Sequence, residues 1–137
     1  SSAVIAIVIT LAGSGLIDLP AGVAIMLGAE IGTCSDTLLA TIGRGRPALR
    51  TGVFHLLFNL VSACVGVALA PQFVRLVQAI SGGADVGHQI ANAQMLFNCA
   101  GVVLVLPFLP LVARALERLI PDAHEQPARS SQAVPAE

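Results

Sequence analysis

Three long apolar runs, separated by short polar loops, constrain this sequence more than any other feature. They cover residues 20–43, 51–70 and 89–113. A helix of about 20 predominantly apolar residues is long enough to cross the roughly 30 Å hydrocarbon core of a bilayer. The three runs therefore predict three transmembrane helices.

The composition of the chain supports this interpretation. Hydrophobic residues make up 55% of the 137 residues and charged residues only 11%, whereas a soluble domain carries about 25% charged residues. The net charge of −1 and the lack of a basic stripe with interleaved aromatic residues argue against a nucleic-acid partner. We therefore expect an all-α membrane protein.

Other segments are too short or too polar to span a membrane. The run at residues 3–12, within segment 1–13, reaches only about 15 Å as a helix, which favours a re-entrant arm. Residues 72–80 predict a short helix at the membrane surface, and two prolines predict a kink in the second half of 89–113. Residues 121–137 are polar and rich in proline, alanine and glutamine, which is typical of a disordered tail.

The arginines predict how the helices are oriented. All seven basic residues are arginines, and three of them lie in the loop at residues 44–50. If that loop is cytoplasmic, Arg114, Arg118 and Arg129 lie on the same side and only Arg75 lies outside, as the positive-inside rule expects. The C-terminal tail is then cytoplasmic.

A polar cluster interrupts the first long run. A charge near the middle of a bilayer costs several kcal/mol or more, so such residues usually face a cavity, a partner or a substrate path. Glycines offer points where a helix can break and present backbone groups to an ion. We expect a break at Gly32, with an ion or substrate site around it. The cluster consists of Gly28, Glu30, Gly32, Thr33, Cys34, Ser35 and Asp36.

The same residues have structural interpretations that leave the helix without a site. Glu30 would pair with an arginine of a neighbouring segment, and Asp36 would cap the second half of a broken helix. The hydroxyl groups of Thr33 and Ser35 would bond back to carbonyls of their own helix.

An internal repeat links the second and third long runs. Residues 54–59 align with residues 93–98 at an offset of 39, and both copies contain Leu-Phe-Asn. The alignment places His55 opposite Gln94 and Asn59 opposite Asn98. We expect these side chains to brace the polar cluster; the alternative is that they only form hydrogen bonds between helices, worth about 1 kcal/mol each or less.

Motifs for other chemistry are missing from the sequence. The three cysteines have neither a CxxC pair nor metal-ligand spacing, so no disulfide framework or zinc site is indicated. No nucleophile elbow, P-loop, HExxH or GxGxxG is present. We therefore predict that the chain is not an enzyme and holds no cofactor.

Taken together, the motifs resemble the type II sodium/phosphate cotransporters, including their bacterial members. In that family a Gln-Ser-Ser-Ser-Ala motif is followed by an apolar arm, a Gly-Ala-Asn-Ile-Gly-Thr-Thr motif, a basic linker and two helices that open with His-x-Leu-Phe-Asn. Here Ser1-Ser2-Ala3, residues 28–34, residues 55–59 and residues 94–98 are similar to these elements, in the same order. The resemblance covers residues 1–120.

The resemblance implies that the chain is one partial repeat, half of an inverted-repeat transporter, with a re-entrant hairpin arm and three transmembrane helices, one of them broken. It implies transport of inorganic phosphate coupled to Na⁺ across the plasma (inner) membrane, with a second repeat or another copy completing the transporter. Na⁺ would lie near Glu30, Thr33 and Ser35. The substrate and ion site would comprise Ser1, Ser2, Gly28, Glu30, Gly32, Thr33, Cys34 and Ser35, supported by Asp36, His55, Asn59, Gln94 and Asn98.

Three positions depart from the family pattern. Glu30 replaces the expected Asn, Cys34 replaces the second Thr, and Gln94 stands where the family usually has His. A carboxylate repels phosphate unless it is protonated or paired with a cation. Glu30 therefore indicates an added cation ligand, a proton-coupling site, a different substrate, or a loss of transport. The alternative function is a membrane module that binds or regulates a partner protein.

Overall fold

The computed structural model describes residues 2–122, and the regular elements within that range are all helical. The predicted tail beyond residue 122 and Ser1 lie outside the described residues. The helices are α1 (Ser2–Gly13), α2 (Leu19–Leu39), α3 (Arg46–Ala68), α4 (Ala70–Ile80), α5 (Val86–Val105) and α6 (Leu109–Leu119), with a 3₁₀ turn at Leu106–Phe108 between the last two.

Three helical units are long and apolar enough to cross a membrane, as the sequence predicts. They are α2, α3 and the unit from Val86 to Leu119 that contains α5, the 3₁₀ turn and α6. The chain is therefore a membrane protein. Helix α1 has 12 residues, and its re-entrant path stays a prediction.

Helix α2 lies at the centre and packs against α1, α3, α4 and α5. Its start is fixed by Asp18, whose carboxylate accepts a hydrogen bond from the Ala21 N–H at 2.9 Å, with Pro20 in the first turn. Met26 of α2, Val77 of α4 and Ile90 of α5 are completely buried in the shared core. The amphipathic α4 is thus held against the spanning helices by its apolar face.

The predicted break in the first spanning helix is wrong. Residues 19–39 form one continuous α-helix, and Gly28 and Gly32 lie inside it. The hydroxyl of Thr33 donates to the carbonyl of Ala29 at 2.7 Å, a bond that threonine commonly forms four residues back along an intact helix. A glycine inside a helix costs about 1 kcal/mol, which is less than exposing several backbone groups in an apolar environment.

The last spanning unit is interrupted at the predicted place, and a bend of its axis there stays a prediction. Helix α5 ends at Val105, and α6 resumes after a 3₁₀ turn that contains Pro107. Proline lacks the N–H that would continue the helical hydrogen bonds. The second half of α5 carries exposed apolar side chains such as Val103 and Leu104.

An ion pair fixes which loops share a side of the bundle. Arg50 near the start of α3 contacts the carboxylate of Asp122 at 2.9 Å and donates to the carbonyl of Ile120 at 2.9 Å. The end of α6 therefore lies beside the α2–α3 loop, as the arginine distribution requires. The cytoplasmic assignment of that side remains a prediction.

Candidate functional site

Three polar side chains of α2 lie on one helical face. Glu30, Cys34 and Thr37 are four and three residues apart, and such residues lie above one another on an α-helix. This face is turned toward α3: Cys34 is fully buried, and its thiol lies 3.2 Å from the carbonyl of Glu30 and 3.8 Å from the carbonyl of His55. The polar stripe is therefore part of the α2–α3 interface.

Two polar side chains of α3, Asn59 and His55, lie one turn apart and contact this stripe. The Asn59 amide lies 3.2 Å from the Glu30 carbonyl, 3.4 Å from the Cys34 sulfur and 3.2 Å from His55 Nε2. The other ring nitrogen of His55, Nδ1, lies 2.9 Å from the Thr37 hydroxyl. Because α2 and α3 are antiparallel, these contacts form a continuous hydrogen-bonded chain along the interface.

The carboxyl group of Glu30 turns toward α5. Gln94 Nε2 donates to Glu30 Oε1 at 2.6 Å, and Glu30 is only 7% exposed. The other polar atom of that amide, Gln94 Oε1, is buried and has no hydrogen-bond partner among the described residues. The three helices therefore enclose one carboxyl group and one half-satisfied amide.

Glu30 has no cationic partner within residues 2–122, so the predicted pairing with an arginine is not formed there. The ion pairs of this range are Arg50–Asp122 and Asp85–His88. The second pair lies at the exposed start of α5, where hydrogen bonding to His88 lowers the pKa of Asp85 below its usual value. Neither pair compensates the buried carboxyl group.

The other predicted site residues of α2 do not converge on Glu30. Thr33 is bonded to its own helix, as one of the sequence-based alternatives expected. Ser35 and Gly32 lie exposed at other angles around the helix, since each residue advances by about 100°. The structure therefore does not bring Glu30, Thr33 and Ser35 together, and Na⁺ coordination by them stays a prediction.

The expected cap at Asp36 is wrong. Asp36 lies inside α2, near its C-terminal end, where its backbone carbonyl accepts from the Ala40 N–H. Its side chain is exposed. A second half-helix would need to begin here for the carboxylate to act as a cap, and the continuous helix removes that role.

Two further predicted residues, Ser2 and Asn98, lie among the described residues. Ser2 lies at the exposed start of α1, and a Cβ added at Gly28 would meet no atom within 4 Å. Asn98 is exposed, unlike its repeat partner Asn59. The repeat therefore brings both His55 of α3 and Gln94 of α5 into contact with α2, but it places the two asparagines in different environments.

Thr37, one member of the hydrogen-bonded chain, is not among the site residues predicted from the sequence. The signal was available, because Thr37 lies seven residues after Glu30 and therefore two turns further along the same face. A break at Gly32 would place Glu30 and Thr37 on separate half-helices, so the expected break interrupted this periodicity. Within residues 2–122, no group of three or more His, Cys, Asp or Glu side chains is placed to hold a metal ion.

Comparisons with known proteins identify two relatives. Over 121 residues, 88% of this chain, the sequence is 30% identical to "Uncharacterized protein YqeW" of Bacillus subtilis. Over 125 residues, 91% of this chain, it is 24% identical to "Putative inorganic phosphate export protein YjbB" of Salmonella typhimurium. No model of a known protein family matches the chain. No solved structure matches it significantly.

The matched region is only part of each relative. The chain spans 39% of the Bacillus protein and 23% of the Salmonella protein. The comparison therefore relates this chain distantly to a protein named for phosphate export, and the three spanning helices are consistent with a membrane location.

Proposed function

We propose that this chain is part of a secondary transporter that moves inorganic phosphate across the plasma membrane. The observation that carries the proposal is the buried polar site between three apolar helices, where Glu30 meets Gln94 and Asn59. Ionisable groups inside a membrane bundle usually mark a substrate or ion path. The relationship to the Salmonella protein favours phosphate as the substrate.

The finer features of the proposal follow the resemblance to the type II sodium/phosphate cotransporters. The chain is then one partial inverted repeat, completed by a second repeat or another copy, with Na⁺ as coupling ion and a cytoplasmic C-terminal tail. Whether transport runs inward or outward is part of the test.

The test is radiolabelled phosphate flux in proteoliposomes that contain the full-length protein carrying this chain. Flux is measured in both directions, with a Na⁺ gradient, with a pH gradient and with neither. We expect saturable phosphate flux that is absent from empty vesicles. If no condition gives flux above that of empty vesicles, the transport proposal is wrong and the partner-binding alternative is favoured.

A further inference from the structure

The amide of Gln94 is satisfied on one side only. Its Nε2 donates to Glu30 Oε1 at 2.6 Å, while its Oε1 is buried and lacks a partner in the described part of the chain. A buried polar atom without a partner is unfavourable and calls for an explanation. The missing group must be a hydrogen-bond donor or a cation, because a carbonyl oxygen only accepts.

Glu30 is the group that can supply this donor. An ionised carboxylate accepts hydrogen bonds only, but a protonated carboxyl group also carries an O–H donor. When Glu30 is protonated, the acid and the amide pair in both directions: the amide N–H donates to one carboxyl oxygen, and the carboxyl O–H donates to the amide oxygen. Protonation thus satisfies the half of Gln94 that is unpaired and removes an uncompensated charge from an apolar interior.

The surrounding side chains do not replace the proton with another positive charge. The Glu30 backbone carbonyl is occupied by the Asn59 amide and the Cys34 thiol. His55 is directed to Asn59 and Thr37. Helix α1 has no charged or imidazole side chain. The other charged or imidazole residues of α2 and the helices packed on it lie exposed or bonded elsewhere: Asp36, Arg46, Arg50, Arg75 and His88.

The donor set around Glu30 also fits a proton better than Na⁺. Hard cations take several oxygen ligands at once, but the neighbouring polar atoms are the amide nitrogen of Asn59 on α3 and the thiol sulfur of Cys34 on α2. The side-chain oxygens that this geometry brings together are the two of the Glu30 carboxyl group and the one of the Gln94 amide. Two oxygens suffice to share one proton.

We infer that Glu30 and Gln94 form a proton-binding site, at which Glu30 carries one proton in each transport cycle. The inference rests on the proposed transport function. The proton arrives from water on one side of the membrane, forms the O–H bond of the Glu30 carboxyl group in the closed arrangement, and leaves to water on the other side. No other covalent bond changes.

The test uses the full-length protein in proteoliposomes with an imposed pH gradient and no Na⁺ gradient. If one proton accompanies each phosphate, the accumulation ratio of phosphate changes about tenfold for each unit of the gradient. Glu30→Gln keeps the shape of the side chain but carries no exchangeable carboxyl proton, so we expect this dependence to be lost. Because phosphate itself takes up protons, the result is judged by comparing variants under identical gradients.

Glu117→Gln is the matched control, since Glu117 is an exposed acid on α6 outside the site. It is expected to respond like the parent. If Glu30→Gln transports phosphate with the same response to the pH gradient as the parent, the proton site is refuted while the phosphate assignment stands. A separate run imposes a Na⁺ gradient without a pH gradient. If Glu30→Gln keeps the response to the pH gradient and loses only the response to the Na⁺ gradient, the site binds Na⁺ and the inference is also refuted.

An infrared measurement separates this inference from the transport proposal. A protonated carboxyl group has a C=O absorption that a carboxylate lacks. We expect such a band in the parent protein at neutral pH. The band should be lost in Glu30→Gln and retained in Glu117→Gln. In Gln94→Leu, where the hydrogen-bonded partner is removed, the band should shift. A parent spectrum without a band that depends on Glu30 overturns the inference, even if phosphate flux is observed.

Discussion

The close approach of α2 and α5 at Gly22 gives the sharpest quantitative prediction. A methyl group added at Gly22 would lie 2.4 Å from Ile90 Cδ1 and 2.9 Å from Ile90 Cγ1. Ordinary carbon contacts begin at about 3.5 Å, so the helices or the isoleucine must move by about 1 Å. Ile90 is completely buried and has little space to do so.

Gly22→Ala should therefore destabilise the protein. Overpacking of this kind costs about 1–3 kcal/mol, and replacing a helical glycine by alanine returns up to about 1 kcal/mol. We expect a net loss of about 1–2 kcal/mol in the free energy of unfolding, measured in mixed detergent micelles. Since Ile90 precedes Gln94 by one turn, the same shift should weaken the 2.6 Å bond to Glu30 and reduce the response of transport to a pH gradient.

A double-mutant cycle tests the cause. Ile90→Val removes the Cδ1 atom that the new methyl group would strike, and by itself should cost about 1 kcal/mol. The double variant should be at least about 1 kcal/mol more stable than the sum of the two single losses predicts. Gly28→Ala is the stability control, because a Cβ there meets no atom within 4 Å. Additive losses, or a Gly22→Ala variant as stable as Gly28→Ala, would refute the reasoning.

Three further predictions concern single interactions. Asn59→Asp places a second acid against the Glu30 carbonyl in an apolar interface. Its free energy of unfolding should therefore be lower than that of Asn59→Leu by about 2 kcal/mol or more. Equal losses for the two variants in detergent unfolding would contradict this. Asp18→Ala should cost about 1 kcal/mol by removing the cap of α2, whereas Asp18→Asn should keep most of it. The lowered pKa of Asp85 means that its interaction with His88 stabilises the protein above the usual carboxyl pKa and is lost as the pH falls through the lowered value. In an NMR titration of the side-chain carboxyl, His88→Ala should return the pKa of Asp85 toward its ordinary value, and an unchanged value would count against the contact.

The repeat shows how far sequence similarity within the chain can be used. His55 and Gln94 occupy matching positions, and both contact α2, at Thr37 and at Glu30. Asn59 and Asn98 also match, yet one is buried at the interface and the other is exposed. The difference arises because α3 lies along α2 on the polar face, whereas the second half of α5 extends beyond the helices that cover its first half.

By itself, the sequence determined the three spanning segments and the interruption of the last one before α6, because hydrophobic length and proline act locally and need no knowledge of neighbouring helices. It also singled out Glu30 as a costly carboxyl group. Only the tertiary structure decided that α2 stays continuous and that Glu30 meets Gln94, 64 residues later in the chain. The reason is physical: backbone and carboxyl groups in an apolar bundle must find partners, and which partners they find depends on how the helices pack.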